Sequence, residues 1–212
     1  LKSVGYHSQH GQDKWVAETI LPGRRGVFVD VGAYDGLTLS NTLYLERELG
    51  WTGLAVEPNP VAYRKLVSTR RCRAENAAIG VTNGEVTFRL VTGYAEMLSG
   101  IADEYDDRHR ARIESELSQH GGSHSEIRIS SYRLADVLER HGVDQVDYLS
   151  IDVEGGEMGV LSSMDFNRVH VSVVGIENNY RDPRIPKFLA ERGYVLHSIV
   201  GDEFYVRPDL VG

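Results

Sequence analysis

Six short runs in this chain are rich in aliphatic and aromatic residues: 26–31, 53–57, 146–152, 171–177, 194–200 and 203–207. The run "VSVVGI" at 171–176 is nearly all apolar, the composition of a strand buried on both faces. Between the runs lie stretches with helical spacing of apolar residues. They are 38–49 (Leu39, Leu43, Leu45, Leu49), 60–69 (Val61, Leu66, Val67), 133–141 (Leu134, Val137, Leu138) and 184–192 (Ile185, Phe188, Leu189). This alternation predicts an α/β fold, a mostly parallel sheet with helices on both faces. The last two runs are joined by "GDE" at 201–203, the spacing of a short hairpin, so a C-terminal antiparallel strand is expected. "EVTFRLV" at 85–91 alternates and reads as an extra edge strand. A length of 212 residues suits one domain over 1–212. Residues 93–125 are charged, weakly periodic and marked by Gly121 and Gly122. They read as an insertion over one end of the sheet, partly helical over about 102–119, placed for substrate contacts.

The net charge of -8 and pI near 5.5 argue against a nucleic-acid binder, whose affinity comes mostly from neutralising phosphates. The basic clusters Arg70-Arg71-Cys72-Arg73 and Arg108-His109-Arg110 read as solvated faces. A single cysteine, Cys72, forms no internal disulfide and fits a reducing compartment. There is no window of about 18 apolar residues and no basic-then-apolar leader pattern, so a cytoplasmic enzyme without a membrane partner is expected. A homo-oligomer is the default assembly.

The segment "VFVDVGAYDGLTL" at 27–39 is a strand entering a tight turn and then a helix-like stretch, the place where open α/β sheets bind ligands. No Lys follows Gly36, so it is not a P-loop. The spacing Gly32-x-x-x-Gly36 puts Tyr34 where a dinucleotide loop needs its middle glycine. Asp30 at the strand end repels a pyrophosphate and attracts a cation or amine, while Glu57, ending "LAVEPNP" (54–60), is placed to bind both hydroxyls of a ribose. A ribose with an amine-bearing tail and no phosphate describes S-adenosylmethionine (SAM). The alternative is that both acids only cap helices.

"FVDVGAYDG", "AVEPNP", "NAAIG" (76–80) and "YLSIDVEGGEMGVL" (148–161), in that order, resemble the FkbM-type SAM-dependent methyltransferases over roughly 6–200. The resemblance implies a Rossmann-like methyltransferase fold and methyl transfer, usually to oxygen on a sugar or natural-product scaffold. It implies that Asp30, Gly32, Ala33 and Gly36 line the methionine part of SAM, that Glu57 holds the ribose, and that Asn76, Ala77 and Ala78 lie by the adenine. The family commonly has Asn near position 34, where this chain has Tyr34. The opening "YHSQHGQDKWV" (6–16) is similar to an N-terminal element of some members. Its Gln9, Gln12 and Asp13 then belong to a lid-like segment, 1–22, that binds the cofactor tail or closes the site, although Asp13 also suits an ordinary first-turn helix acid.

Asp152 ends the strand of "YLSIDVEGGEMGVL" beside the place a SAM methyl would reach, and Glu154 lies in the turn. Glu157 opens the next helix, where an acid complements the dipole. Glu177 ends the neighbouring strand, so Asp152 and Glu177 suit Mg²⁺ or another hard divalent cation. The resemblance implies the same two ligand positions and adds Asn178 as a neutral third. Glu154, or His10 with the lid folded over, is a candidate general base, and His120 and His124 are within the insertion's reach. The expected activity is SAM-dependent O-methylation of a small hydroxylated acceptor, with Asp152, Glu154 and His10 as catalytic residues. N-, carboxylate or peptide methylation on the same scaffold is the alternative. A noncatalytic SAM-binding domain is another, disfavoured by intact Asp30, Glu57 and Asp152.

Overall fold

The computed structural model describes residues 5–210, so residues 1–4 of the expected lid-like segment lie outside the described residues. The strands are β1 (Val27–Val31), β2 (Thr52–Val56), β3 (Arg73–Glu75), β4 (Ala78–Ile79), β5 (Gly84–Thr92), β6 (Gly100–Ile101), β7 (Ser123–Tyr132), β8 (Gln145–Ile151), β9 (His170–Ile176), β10 (Val195–Val200) and β11 (Asp202–Val206). The helices are α1 (Gln12–Trp15), which runs on as a π-helical turn at Val16–Ile20, α2 (Leu43–Arg47), α3 (Pro60–Thr69), α4 (Asp107–His120), α5 (Leu134–Arg140), α6 (Glu157–Ser163) and α7 (Arg184–Ala190).

Seven strands form a sheet in the order β10-β11-β9-β8-β1-β2-β3. β11 runs antiparallel to both its neighbours and the other pairings are parallel, as the sequence predicts. Period-two alternation splits this sheet's side chains between two layers. Phe28, Tyr148, Val173 and Phe204 pack on one face with Val16, Ile20, Leu45 and Trp51. Val29, Leu149 and Val174 pack on the other with Val137, Leu161 and Leu189 from α5, α6 and α7. α3 begins where "NP" predicts, with Pro60 at its first position and Asn59 Oδ1 accepting from Val61 N–H at 2.9 Å. Among the described residues no helix is long and apolar enough to cross a membrane.

The structure departs from the sequence expectation in three places. Residues 85–91 do not edge the main sheet; they lie in β5, between β7 and β6 of a separate four-stranded sheet ordered β4-β7-β5-β6. Its long partner β7 begins inside the stretch read as an insertion, where exposed polar residues on both faces hide the strand signal. The helix expected over 38–49 shrinks to 43–47. Asp35 accepts from Leu37 and Thr38 N–H, and Ser40 accepts from Leu43 N–H at 3.1 Å, local bonds that compete with a helix.

Candidate active site

The loop after β1 is held by close backbone approach. Gly32 has φ 90, its N–H donates to Val56 carbonyl at 3.0 Å, and a Cβ there would stand 1.7 Å from the Asp152 carbonyl oxygen. Only glycine meets both conditions. Gly36, also at positive φ, packs against Leu66 and Arg70 instead of facing a cavity. Arg70 is buried: its guanidinium meets Glu46 at 2.6 Å and donates to Thr42 Oγ1 at 2.9 Å. Asp30 is buried beside this pair and accepts from Thr42 Oγ1 at 2.6 Å. Burial raises its carboxyl pKa, and Arg70 and the Thr42 bond oppose the rise. The reading of Arg70 as part of a solvated face is therefore corrected: its guanidinium is buried in a pair with Glu46, and its charge opposes the rise at Asp30.

Two cavities open at the carboxyl edge of the sheet. The first is lined by Val31, Val56, Ala77, Ala78, Ile79 and Phe88, with Glu57 in its wall. Glu57 accepts from Tyr34 N–H and from Asn59 N–H, both at 2.7 Å. Burial pushes its carboxyl up to about 8 despite the Asn59 bond, and Asp30 and Asp35 add to the rise. Each Glu57 oxygen takes one backbone bond and retains acceptor capacity. A diol donating to it, with a flat apolar ring on the Ala77–Phe88 side, satisfies this set, so the cavity fits the adenosine of SAM. Asn76 lies behind the wall, donating to the carbonyls of Glu57 and Pro58. The segment read as an acceptor-binding insertion also serves this cavity, through Glu96, Met97, Ser99 and Glu104.

The second cavity is polar, about 630 Å³ in volume, and open to solvent. It shares Gly32, Tyr34, Met97, Asp152 and Glu154 with the first. Its walls add Gln9, His10, Gln12, Asp30, Ala33, Glu177 and Asp202. Asp13 does not reach it: its carboxylate accepts from His7 N–H at 2.6 Å and Ser8 Oγ at 2.5 Å, folding the N-terminal segment on itself.

At the junction of the cavities, carboxylate oxygens of Asp152, Glu154 and Glu177 lie within 4.8 Å of one another. Burial, then Glu177 and Glu154, raise the Asp152 carboxyl well above its ordinary range. Burial and Glu177 push Glu154 up to about 8, opposed by Arg112, which approaches it at 3.6 Å. Glu157 rises to about 7, through burial first. Three crowded oxygens of this kind suit a hard divalent cation. Asn178 is not among them. Its Oδ1 accepts from Asp182 N–H at 2.7 Å and its NH₂ donates to Glu203 at 3.1 Å, so it closes a turn, and Glu154 is the third carboxylate of the cluster.

His120 and His124 pair at 3.5 and 3.6 Å with Glu116 and Glu114 and line neither cavity. The histidine beside the acids is His109, which the sequence reading left on a solvated face. It is fully buried, with Nε2 3.2 Å from the Leu98 carbonyl and Nδ1 3.2 Å from Tyr180 Oη and 3.6 Å from Glu154. A carbonyl only accepts, so Nε2 carries the proton and Nδ1 faces the acids as an acceptor. Burial pushes its pKa down, which favours this neutral form. The spacing of His109, Ile113 and Leu117 on one face of α4 is the signal that places it inward.

The family described as Methyltransferase FkbM domain matches residues 30–196. A curated relative, methyltransferase sdnD of Sordaria araneosa, is 28% identical over 207 residues, covering 85% of this chain and 77% of its own length. A crystal structure of Methyltransferase FkbM from Methylobacillus flagellatus KT superposes with a TM-score of 0.54 over 92% of this chain at 12% identity. That likeness concerns the fold, and the chain spans 47% of that structure's length.

Proposed function

The chain belongs to the FkbM methyltransferase family, and on that premise we propose that it moves the methyl group of SAM to a hydroxyl oxygen of a small, hydroxyl-rich acceptor, a sugar or natural product. The observation that carries this reading is the meeting of the two cavities at Gly32, Asp152 and Glu154. SAM supplies an electrophilic methyl on a sulfonium, attacked in line by the acceptor. Glu57 holds the ribose, and the wall at Ala77 and Ala78 holds the adenine. Gln9, Gln12, Asp30 and Ala33 surround the amino-acid tail in the second cavity. There the acceptor is oriented between His10 on one wall and Arg112 on another.

Asp152, Glu154 and Glu177 are the residues that would hold a divalent cation, whose Lewis acidity would favour the ionised acceptor. Glu154, which lines both cavities at their junction, is the carboxylate placed to receive the acceptor proton at an Oε atom. Among the described residues Asp152, Glu177 and Asp202 form no ion pair, and where these acids ionise, their field disfavours acceptors that carry phosphate or carboxylate. The same field favours amines, which makes N-methylation the second reading. The test uses labelled SAM with a panel of polyols, glycosides and amines, in EDTA and after Mg²⁺ or Mn²⁺ is restored. Label on oxygen, lost on chelation and regained with metal, is the expected result. Label on nitrogen selects the second reading, and full O-methylation in excess EDTA removes the cation.

A further inference from the structure

The second cavity changes character between its buried and its exposed walls. The buried ones include Asp30, Asn41 and Asp202, all polar. Among the exposed ones stand three large apolar side chains: Leu39 at 42% exposure, Tyr94 at 72% and Met97 at 38%. Tyr94 is the most exposed large apolar side chain among the described residues. A single exposed leucine or tyrosine means nothing, but three on the rim of one cavity mark a surface that gains from being covered. Leu39 comes from the loop after β1 and the other two from residues 94–98. Tyr34 Oη donates to Glu96, which joins that loop to that segment.

The backbone holds these side chains outward. Leu39 has φ 54, a conformation that a branched residue rarely adopts. Asp35 accepts from Leu37 and Thr38 N–H at 2.9 and 2.7 Å just before it, and Ser40 accepts from Leu43 N–H at 3.1 Å just after it. Gly93 has φ 84, and a Cβ there would stand 3.1 Å from Gly122 Cα, so the backbone entering Tyr94 lies against the turn after α4. In the 3₁₀ turn Gly93–Leu98, residues three apart align. Ala95 and Leu98 enter a core with Tyr105 and Ile113, which leaves Tyr94 and Met97 on the rim. The Tyr94 ring meets the His120 ring at 4.3 Å, and His120 is held by Glu116 at 3.5 Å.

We infer that Leu39, Tyr94 and Met97 form a subsite for an apolar body carried by the acceptor, so that the molecule methylated is amphiphilic, with its hydroxylated head at Asp152 and Glu154 and a hydrocarbon portion at the rim. The inference rests on the proposed methylation of a hydroxyl, which decides that the polar end goes in first. The volume of about 630 Å³ lies within the range of pockets that take drug-sized molecules, about 300–1,000 Å³. A further sugar unit at the rim would call for hydrogen-bonding partners, which the Leu39 and Met97 side chains do not supply beyond a weakly accepting sulfur. An apolar body gains instead by taking this exposed surface out of water.

Calorimetry on the whole chain saturated with S-adenosylhomocysteine tests this with methyl β-glucoside, octyl β-glucoside below its micelle threshold, methyl β-cellobioside, methylamine and octylamine. Octyl glucoside is expected to bind at least about tenfold more tightly than methyl glucoside. Tyr94→Ser and Leu39→Ser should each cut that preference at least about threefold. Both should leave S-adenosylhomocysteine affinity within about twofold, since neither residue lines the first cavity. The absence of an octyl preference in both the glucoside and the amine pair overturns the inference. So does a preference that both variants leave intact, which places the alkyl chain elsewhere, or a cellobioside that binds more tightly than octyl glucoside. Should one variant fail to fold by thermal melting, the other carries the comparison. An octyl preference that appears only with the amines, and falls in the variants, keeps the subsite while the hydroxyl reading fails. Methylation of methyl and octyl glucoside by labelled SAM with equal KM keeps the hydroxyl reading and removes the subsite.

Discussion

The cavity beside Glu57 and the cavity beside Glu177 share five residues and are built from different kinds of structure. The first takes most of its apolar wall from strand ends and from the 77–79 stretch, and its acid is tied by two backbone N–H groups. The second is assembled from the N-terminal segment, residues 94–98, α4, and the β10–β11 turn, and its carboxylates crowd one another. One is shaped to receive a ligand that brings hydroxyls; the other accumulates negative charge that a cation or a proton must offset. The first is therefore framed by the sheet edge, and the second by the meeting of segments remote in sequence.

The largest blow to this division comes from beneath the loop after β1. Arg70→Leu removes the buried partner of Glu46 and the cation nearest Asp30. Breaking a buried pair in this way costs about 3–5 kcal/mol. Denaturant unfolding should show that loss, with the loop after β1 failing first. A loss below about 1 kcal/mol would mean that the loop is held by its backbone contacts alone.

A middle-sized effect appears with pH. Glu57 and Glu154 are pushed up to about 8, and Glu104, Glu157 and Asp202 to about 7. A carboxyl whose folded pKa lies above its unfolded value stabilises the fold while protonated. That contribution is complete below the unfolded value, about 4, and disappears as pH rises through 7 to 8. Scanning calorimetry of the ligand-free protein should show Tm falling from pH 5 to pH 8.5. SAM at pH 8.5 should recover the Glu57 share and Mg²⁺ the share of the junction acids. A flat profile removes the crowded-acid account, and rescue by SAM alone confines it to the first cavity.

The smallest effect concerns Asn178. Because its side chain closes the turn to Asp182, Asn178→Ala should cost about 1 kcal/mol of stability and leave the metal requirement of turnover unchanged. A raised metal requirement in this variant would return Asn178 to the ligand set.

The same contrast explains what the sequence made legible. The main sheet follows from apolar runs such as "VSVVGI", because strands buried on both faces carry their burial in composition. Asp30, Gly32, Glu57, Ala77, Ala78, Asp152, Glu154 and Glu177 stand at or just beyond strand ends, so once the strands are located their gathering at one edge follows. β7 escaped because most of its side chains are exposed. Asp202 escaped because a Gly-Asp turn in a hairpin looks the same whether or not it lines a cavity. The Asn178 and Asp13 side chains point to nearby backbone for a related reason: each carboxamide or carboxylate is taken up by backbone N–H groups, a competition that residue type alone does not reveal.

The division between the cavities is tested most directly by SAM calorimetry on two variants side by side. Glu57→Ala removes the carboxyl acceptors from the first cavity, so SAM should bind at least about tenfold more weakly. Glu177→Gln changes only the junction acids and should leave SAM affinity within about twofold while raising the metal concentration that turnover needs. Wild-type SAM affinity in a folded Glu57→Ala protein, together with lost affinity in Glu177→Gln, would contradict the account and move the cofactor into the second cavity.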